Sequence, residues 1–476
     1  MTEQRQGLAV WGDLLAADRA PRFALICLGV WLNAADALVT ATIMPSVGAD
    51  LGGYALFSWS VAGFLLGAIL AGASAGRVSE ILGLRPATVS AGLVLAAGCV
   101  LSAVASSMEW FLLGRFVQGF GSGWVSGLAM VAIAFLFPER HLGRVFAAAA
   151  AVWGLATILG PLLGGLLAQA GGWRTVFWLF AVQAVLFSGA ACVLLPREAA
   201  SAAPARVPWR QLGLLCIAIL VLGGADISQR AEVALAFVGV CLALLVWMLR
   251  IDRHARHRLL PRAAGDLGAV PGAGYAAMFL LTATSVGFLI YAPPLLQQMH
   301  GLTPLASGYA VAAHAMGWTV AAFVVAGASH AAGVRWIRAG ALCILCGAGL
   351  LAILMRLAPV PLIVGAAVIM GMGFGLCSAL MNRRVLMALP DDDRATGSSA
   401  LIAVRQAGEA VGAAIVGVVA NLAGFGAGLT PVSAQSTALW VFVAALPAGA
   451  LGALAAWRMT QLPAVPVTQE QRVAQE

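Results

Sequence analysis

Long apolar stretches separated by short polar connections dominate the pattern of this chain. A helix rises 1.5 Å per residue, so about 20 apolar residues cross the hydrocarbon layer of a membrane. Fourteen segments reach or approach that length, and the seventh is the shortest of them. Their predicted limits are 22–45, 55–76, 86–106, 110–136, 143–168, 173–195, 210–226, 231–250, 272–296, 304–328, 335–356, 359–383, 395–421 and 436–458. The pattern predicts an all-α, polytopic membrane protein.

The composition agrees with this fold class and excludes others. Hydrophobic residues make up 62% of the 476 residues and charged residues 10%, far from the values of a soluble domain. The net charge of +8 is spread over short loops and not gathered on one face, so nucleic-acid binding is not expected. All eight cysteines lie in apolar stretches, so neither a disulfide framework nor a metal site is expected.

The basic residues indicate the orientation in the membrane. All 27 are arginines. If both termini are cytoplasmic, every arginine in a loop or tail faces the cytoplasm except Arg174, Arg230 and Arg356. Adding or removing one span would invert each later loop and destroy this asymmetry. We therefore predict an even number of spans, cytoplasmic N- and C-termini, and a multi-pass location in the cell membrane.

The spans fall into six, an inserted pair, and six more. Two linkers, 197–209 and 250–271, flank the seventh and eighth spans. Related halves of this kind are typical of secondary transporters. The predicted regions are an N-terminal six-helix bundle at 1–196, the linkers and the inserted pair at 197–271, a C-terminal six-helix bundle at 272–459 and a cytoplasmic tail at 460–476.

A short loop between spans two and three carries the first family resemblance. Its sequence, GRVSEILGLR at 76–85, resembles the signature loop of the major facilitator superfamily, with a glutamate where that family usually has aspartate. In the family this loop latches the two halves at the cytoplasmic face. The resemblance therefore implies a cytoplasmic gate formed by Gly76, Glu80, Gly83 and Arg85.

Two further motifs follow in register. Span four has Arg115 and Gln118 in a sequence similar to the RxxQG motif of the superfamily. Span five has ATILGPLLGG at 156–165, similar to the GxxxGPxxGG motif of its antiporter branches, with alanine in place of the first glycine. Proline removes a helix hydrogen bond and glycine permits close approach. We therefore expect a hinge, whose residues are Gly160, Pro161, Gly164 and Gly165.

The first span narrows the resemblance to one branch. Asp36 lies nine residues before Pro45, a spacing that resembles the fourteen-span drug:proton antiporters, the group of the QacA and EmrB exporters. Further matches extend the resemblance over nearly the whole chain. It implies a secondary active exporter driven by proton entry, with the proton gradient as its energy source and no cofactor.

Four charged residues lie deep within predicted spans: Asp36, Arg115, Arg405 and Glu409. Counted along the helices, three of them lie about 20 Å from the cytoplasmic surface and Arg405 about one turn below. Because such charges are costly in a membrane, we expect Asp36 and Arg115 to take part in proton coupling, and Glu409 to take part in proton coupling or in binding a cationic substrate. In related antiporters the arginine of span four is associated with proton transfer; a structural clamp on backbone carbonyls is the alternative for Arg115.

Arg405 has two candidate partners. The resemblance implies that spans one and thirteen lie beside a central cavity, on opposite halves. Arg405 could therefore reach Asp36 when one side is closed and form an ion-pair gate that opens when Asp36 takes up a proton. The alternative is Glu409 on its own helix, at i, i+4 spacing.

Other polar residues within the spans are candidates for the substrate cavity: Asn33, Gln118, His314 and Asn382. Each could equally bond a neighbouring helix, and a hydrogen-bonded core histidine is the favoured interpretation of His314.

The expected function is proton-coupled export of amphipathic, cationic or neutral small molecules by a monomer in the lipid bilayer. The alternative on the same fold is export of a specific lipid or siderophore-like metabolite. A membrane enzyme is not expected, because it would need a cluster of acids and histidines at the membrane surface. The nearest acidic run, 391–393, lies beside arginines and is interpreted as a solvated patch.

Overall fold

The computed structural model describes residues 19–137, 139–170, 172–196, 207–227 and 230–463. Over these residues the chain forms fourteen α-helices and no strand. Their bounds are α1 Ala20–Leu51, α2 Trp59–Leu82, α3 Leu84–Ala103, α4 Met108–Leu136, α5 Glu139–Gln169, α6 Trp173–Leu194, α7 Trp209–Ile227, α8 Ala231–His254, α9 Val270–His300, α10 Pro304–Val325, α11 His330–Leu357, α12 Val360–Met387, α13 Asp391–Leu422 and α14 Pro431–Gln461. The predicted all-α, polytopic membrane fold is confirmed.

The seventh span, which the sequence predicts to be the shortest, is the shortest α-helix among the described residues. Of the described helices, thirteen are long and apolar enough to cross a membrane. In α7 the described apolar stretch covers Trp209–Ala225, and the whole helix has 19 residues. At 1.5 Å per residue it is about 28 Å long, slightly less than the hydrocarbon thickness. The described residues therefore form fourteen helices, the number of predicted spans, but α7 is only marginally long enough to cross a membrane.

The chain divides into two compact units. The first comprises the residues up to Val207 together with Pro293–Ala312, and the second comprises Pro208–Ala292 together with the residues from Ala313 onward. This division passes through α9 and α10. The bundle limits at 196 and 272 therefore stay a prediction, and most of the linker 197–209 and of the tail 460–476 lies outside the described residues.

Glycines let the helices of the first unit approach closely. The helices α2 and α4 meet where a Cβ on Gly119 would collide with the backbone of Phe64. A Cβ on Gly121 would likewise collide with the backbone of Leu95 in α3. Since apolar burial drives no association in lipid, this backbone contact is what holds such helices together. The close packing fixes the face of α4 that carries Arg115.

Candidate functional site

Asp36 and Arg115 form a buried ion pair between α1 and α4. The Arg115 Nη1 atom lies 2.9 Å from Asp36 Oδ2 and 3.1 Å from Asp36 Oδ1. The side chains are 2% and 3% exposed for arginine and aspartate, respectively. Two charges removed from water in this way are tolerated only when they are paired and their remaining hydrogen-bonding groups are satisfied.

Gln118 completes the pair from the next turn of α4, since residues i and i+3 share a helix face. Its Nε2 donates to Asp36 Oδ1 at 2.9 Å, while its Oε1 accepts from Arg115 Nη1 at 3.1 Å. Gln118 is fully buried. The sequence left two interpretations of Gln118, a residue that lines the cavity or one that bonds a neighbouring helix. In the structure it bonds a neighbouring helix.

Helix α3 contributes two residues that the sequence did not point to. Ser102 Oγ donates to Gln118 Oε1 at 3.2 Å, and Gln118 Nε2 is 3.2 Å from Cys99 Sγ. Both are small residues in an apolar span, so no local pattern distinguishes them. They orient the Gln118 amide, which places its NH₂ group towards Asp36.

The remaining contacts of Arg115 anchor it to the beginning of α2. Its Nε donates to the Ser60 carbonyl at 3.2 Å, and its guanidinium carbon lies 4.5 Å from the centre of the Phe64 ring. Arg115 is therefore an ion-pair partner of Asp36 and also contacts a backbone carbonyl, as the clamp interpretation expects; its part in proton transfer stays a prediction. If Asp36 took up a proton, Arg115 would keep these other contacts.

Arg405 pairs with Glu409 on α13. Arg405 Nη1 is 2.8 Å from Glu409 Oε1, and the side chains are 39% and 26% exposed. This is the local alternative, and the i, i+4 spacing explains it because the two groups meet without any other helix. Within the first unit Asp36 has Arg115 as its partner. A gate of Asp36 and Arg405 stays a prediction.

The signature loop is a one-residue turn between α2 and α3. Gly83 has φ +85°, a backbone conformation that favours glycine. Glu80 accepts from Arg77 at 3.1 Å on its own helix, and Arg85 Nε donates to the Leu195 carbonyl at the end of α6. Gly76 accepts a hydrogen bond from the Ser79 hydroxyl at 2.7 Å. These contacts shape the loop, and its role as a gate stays a prediction.

The motif in α5 provides a surface for α1. The helix continues through Pro161. A Cβ added to Gly160 would lie 2.9 Å from Leu38 Cβ, and one added to Gly164 would lie 3.1 Å from the Val39 carbonyl oxygen. These glycines bring α5 against the segment of α1 that directly follows Asp36.

The same end of α5 contacts the beginning of α10, within the first unit. A Cβ on Gly165 would lie 2.5 Å from Leu305 Cα, and one on Gly308 would lie 2.7 Å from Thr42 Oγ1 and 3.1 Å from Pro161 Cβ. Any side chain at these two positions would require the helices to separate. The motif therefore marks a tight contact, and its role as a hinge stays a prediction.

Two candidates for the substrate cavity bond other helices. Asn33 Nδ2 donates to Ser126 Oγ of α4. His314 Nδ1 lies 3.1 Å from the Ala367 carbonyl of α12; because the partner is a carbonyl, this ring nitrogen is the donor. The third, Asn382, has a buried Oδ1 that accepts no hydrogen bond from the described residues. A role of these residues in substrate binding stays a prediction.

An exception to the arginine pattern has a structural cause. Arg174, which the topology places outside, contacts Asp50 at the end of α1 and donates to the Ala105 carbonyl at 3.0 Å. It therefore ties three helix ends together.

In the described residues no three His, Cys, Asp or Glu side chains lie together as a metal site would need.

Comparison with known proteins gives relatives along the whole chain. A family model described as Major Facilitator Superfamily matches residues 26–413. A Mycobacterium tuberculosis protein named as a probable multidrug-efflux transporter is 28% identical over 436 residues, which cover 89% of this chain and 92% of that protein. An MFS-type transporter of the acurin A biosynthesis cluster of Aspergillus aculeatus is 31% identical over 175 residues, 37% of this chain and 30% of that protein.

The fold has counterparts among solved structures. A crystal structure of a POT peptide transporter superposes with a TM-score of 0.67 at 15% identity, covering 92% of this chain and 94% of that one. At this identity the likeness shows a shared fold and says nothing of the substrate.

Proposed function

The chain belongs to the major facilitator superfamily of multi-pass membrane transporters, and we propose that it is a proton-coupled antiporter. In this proposal it exports amphipathic, cationic or neutral small molecules across the cell membrane by alternating access. The M. tuberculosis relative named as a probable multidrug-efflux transporter supports the export of drug-like compounds, since it is similar over nearly the full length of both chains.

The observation that carries the proton coupling is the buried pair of Asp36 and Arg115. Its carboxylate accepts from two side chains, at 2.9 Å from Arg115 and 2.9 Å from Gln118. Adding a proton to Asp36 removes its negative charge and most of its attraction for the guanidinium. The two protonation states therefore favour different positions of α1 relative to α4, and a conformation that exposes Asp36 to one side of the membrane would take up or release the proton there.

Glu409 supplies a second negative group, which suits a cationic substrate. Its side chain is 26% exposed, in contrast to the 3% of Asp36. The Glu409 carboxylate is paired with Arg405 at 2.8 Å, so a cationic compound would replace this arginine without breaking the buried network of Asp36. In this proposal Asp36 carries the proton, and Glu409 attracts the positive charge of the compound.

The test is transport driven by a pH gradient in proteoliposomes, with ethidium as the fluorescent probe. Asp36→Asn should abolish gradient-driven ethidium movement. The matched control is Asp50→Asn, in the same helix, where the carboxylate contacts Arg174 and is 46% exposed; this variant should transport normally. Normal pH-dependent transport by Asp36→Asn would refute the assignment.

Export of one specific metabolite or lipid is the second candidate. The relative from a fungal biosynthesis cluster favours it, although that similarity covers 37% of this chain. A panel of cationic dyes, neutral drugs and phospholipids in the same proteoliposomes separates the two. Transport of several unrelated dyes supports the first candidate. Transport of a phospholipid alone, or of no compound in the panel, supports the second.

A further inference from the structure

The loop that follows the inserted pair α7 and α8 is held in a fixed conformation. Asp252, in the last turn of α8, is 3% exposed. Its two carboxylate oxygens accept from the backbone N–H groups of Leu259 at 2.6 Å and Leu260 at 2.9 Å. At the beginning of α7, Gln211 Nε2 donates to the His257 carbonyl at 2.9 Å. The loop is therefore tied to both helices of the pair.

This fixed loop presents Arg258 with one side of its guanidinium unused. Arg258 Nη2 lies 3.5 Å from Asp393 Oδ1 in the first turn of α13, and its side chain is 19% exposed. The Nη1 atom is buried and has no hydrogen-bond partner among the described residues. A buried charged donor without an acceptor is expensive and is rare in native proteins. Because this atom lies beneath the surface, an oxygen from outside the chain would satisfy it once the Arg258 side chain, which is 19% exposed, turns outward.

The loop after α8 is strongly positive, whereas the acidic run 391–393 begins α13 beside Arg258. Residues 250–262 contain five arginines and one acid, Asp252, which is turned inward onto the backbone. The α7 terminus adds another arginine beside Gln211. The exposed arginines of this basic cluster, none of which pairs with a described residue, are Arg210, Arg250, Arg253, Arg256 and Arg262. Such a cluster at the end of membrane helices attracts anionic groups.

Two tryptophans place this region at the level of the lipid headgroups. Trp209, directly before Arg210, is 62% exposed, and Trp247, about one turn before Arg250, is 54% exposed. Exposed tryptophans near helix ends are enriched at the boundary between hydrocarbon and headgroups. A lipid phosphate therefore lies at the height of the basic cluster.

We propose that Arg258 and the basic cluster bind the phosphate of an anionic phospholipid, with a phosphate oxygen accepting from Arg258 Nη1. Guanidinium and phosphate suit each other through paired, charge-assisted hydrogen bonds. The Asp393 carboxylate on the other side of the guanidinium opposes the anion, so its charge weakens binding. The site is independent of the compound that the protein transports.

The position of the site connects lipid binding to α13. Arg258 contacts Asp393 at one end of that helix. Near the other end, Val418 packs in a buried cluster with Ala225 of α7 and Ala234 of α8. Helices α7 and α8 thus contact α13 at two places, one on each side of the Arg405–Glu409 ion pair. A lipid bound at Arg258 would hold these two helices and α13 together.

Native mass spectrometry of the purified full-length chain, titrated with phosphatidylglycerol, tests the proposal. Arg258→Gln should weaken binding about tenfold, the loss expected for a charge-assisted hydrogen bond. Arg335→Gln is the matched control, an exposed arginine at the beginning of α11, and should bind as the unmodified protein does. Asp393→Asn should bind more tightly, an increase that a purely structural role for the ion pair would not produce.

A second variant and two further ligands complete the test. If Arg258→Gln does not fold, as judged by its Tm and its gel-filtration profile, Arg258→Lys replaces it and should bind with intermediate affinity. Phosphatidylcholine should bind weakly and equally to all variants. Equal phosphatidylglycerol binding by Arg258→Gln and Arg335→Gln would overturn the proposal. So would a site that binds inorganic phosphate and not phosphatidylglycerol.

Discussion

The Arg115 guanidinium makes two contacts, of 2.9 Å and 3.1 Å, to the carboxylate of Asp36, inside the first unit of the chain. The residues are 79 positions apart in sequence and belong to different helices. Both are almost completely removed from solvent. A buried pair is weak evidence for stability as such, but its charge state can be changed by a single proton. That property makes it suitable for coupling.

Removing the arginine of this pair should destabilise the protein strongly. Arg115→Gln leaves the Asp36 carboxylate buried without a counter-charge, which costs about 3–5 kcal/mol. The Tm in detergent should fall clearly. The double variant Asp36→Asn with Arg115→Gln removes both charges and should recover part of the loss. Additive effects in this cycle would contradict a direct interaction.

Gln118 should be needed for coupling because it donates to Asp36 and accepts from Arg115. Gln118→Met keeps the volume and removes both hydrogen bonds, so gradient-driven transport should fall while the chain still inserts in the membrane. Gln183→Met is the control, since Gln183 accepts from Trp31 and lies outside the network. A similar loss in both variants would show that Gln118 has no special role.

Much of the fold could be predicted from sequence because lipid imposes a simple rule. Backbone groups in the hydrocarbon must bond within their own helix, so apolar segments of about 20 residues can be recognised one by one. Helix α7 was the weakest match and is the short helix in the structure. The depth of a residue in the membrane could also be estimated by counting along its helix. This estimate placed Asp36 and Arg115 at the same depth.

The partners of the charged residues could not be predicted in the same way. Which side chains meet depends on the rotation of each helix about its axis and on its neighbours, and the glycine contacts of α4 set both. The i, i+4 pair of Arg405 and Glu409 was foreseen as an alternative, because it needs one helix alone. The contributions of Cys99 and Ser102 had no signal in the sequence.

The glycines of the α5 motif should not tolerate a side chain where α10 approaches. Gly165→Ala places a methyl group against Leu305 and should cost about 1–3 kcal/mol through overpacking, which would disfavour this conformation. Transport should fall and the Tm in detergent should decrease. Gly154→Ala, in the same helix with no atom within 4 Å of the added Cβ, is the control and should be neutral. A neutral Gly165→Ala would contradict the tight contact.

Glu409 should make the protein prefer cationic compounds to neutral ones. The Arg405–Glu409 ion pair is partly exposed, so losing it should change the free energy of unfolding by less than about 1 kcal/mol. Glu409→Gln should raise the KM for cationic dyes several-fold and leave the KM for neutral compounds unchanged. An equal rise of KM for both classes would show that Glu409 does not contact the positive charge.

Proton release on substrate binding is the most direct test of Asp36 as the coupling residue. Purified protein that starts with Asp36 protonated, in weakly buffered detergent solution with a pH indicator, should release protons when ethidium is added. Asp50→Asn should release the same amount as the unmodified protein. Asp36→Asn should still bind ethidium, measured by fluorescence polarisation, and release none. Undiminished proton release by Asp36→Asn would contradict the assignment of the coupling proton to this carboxylate.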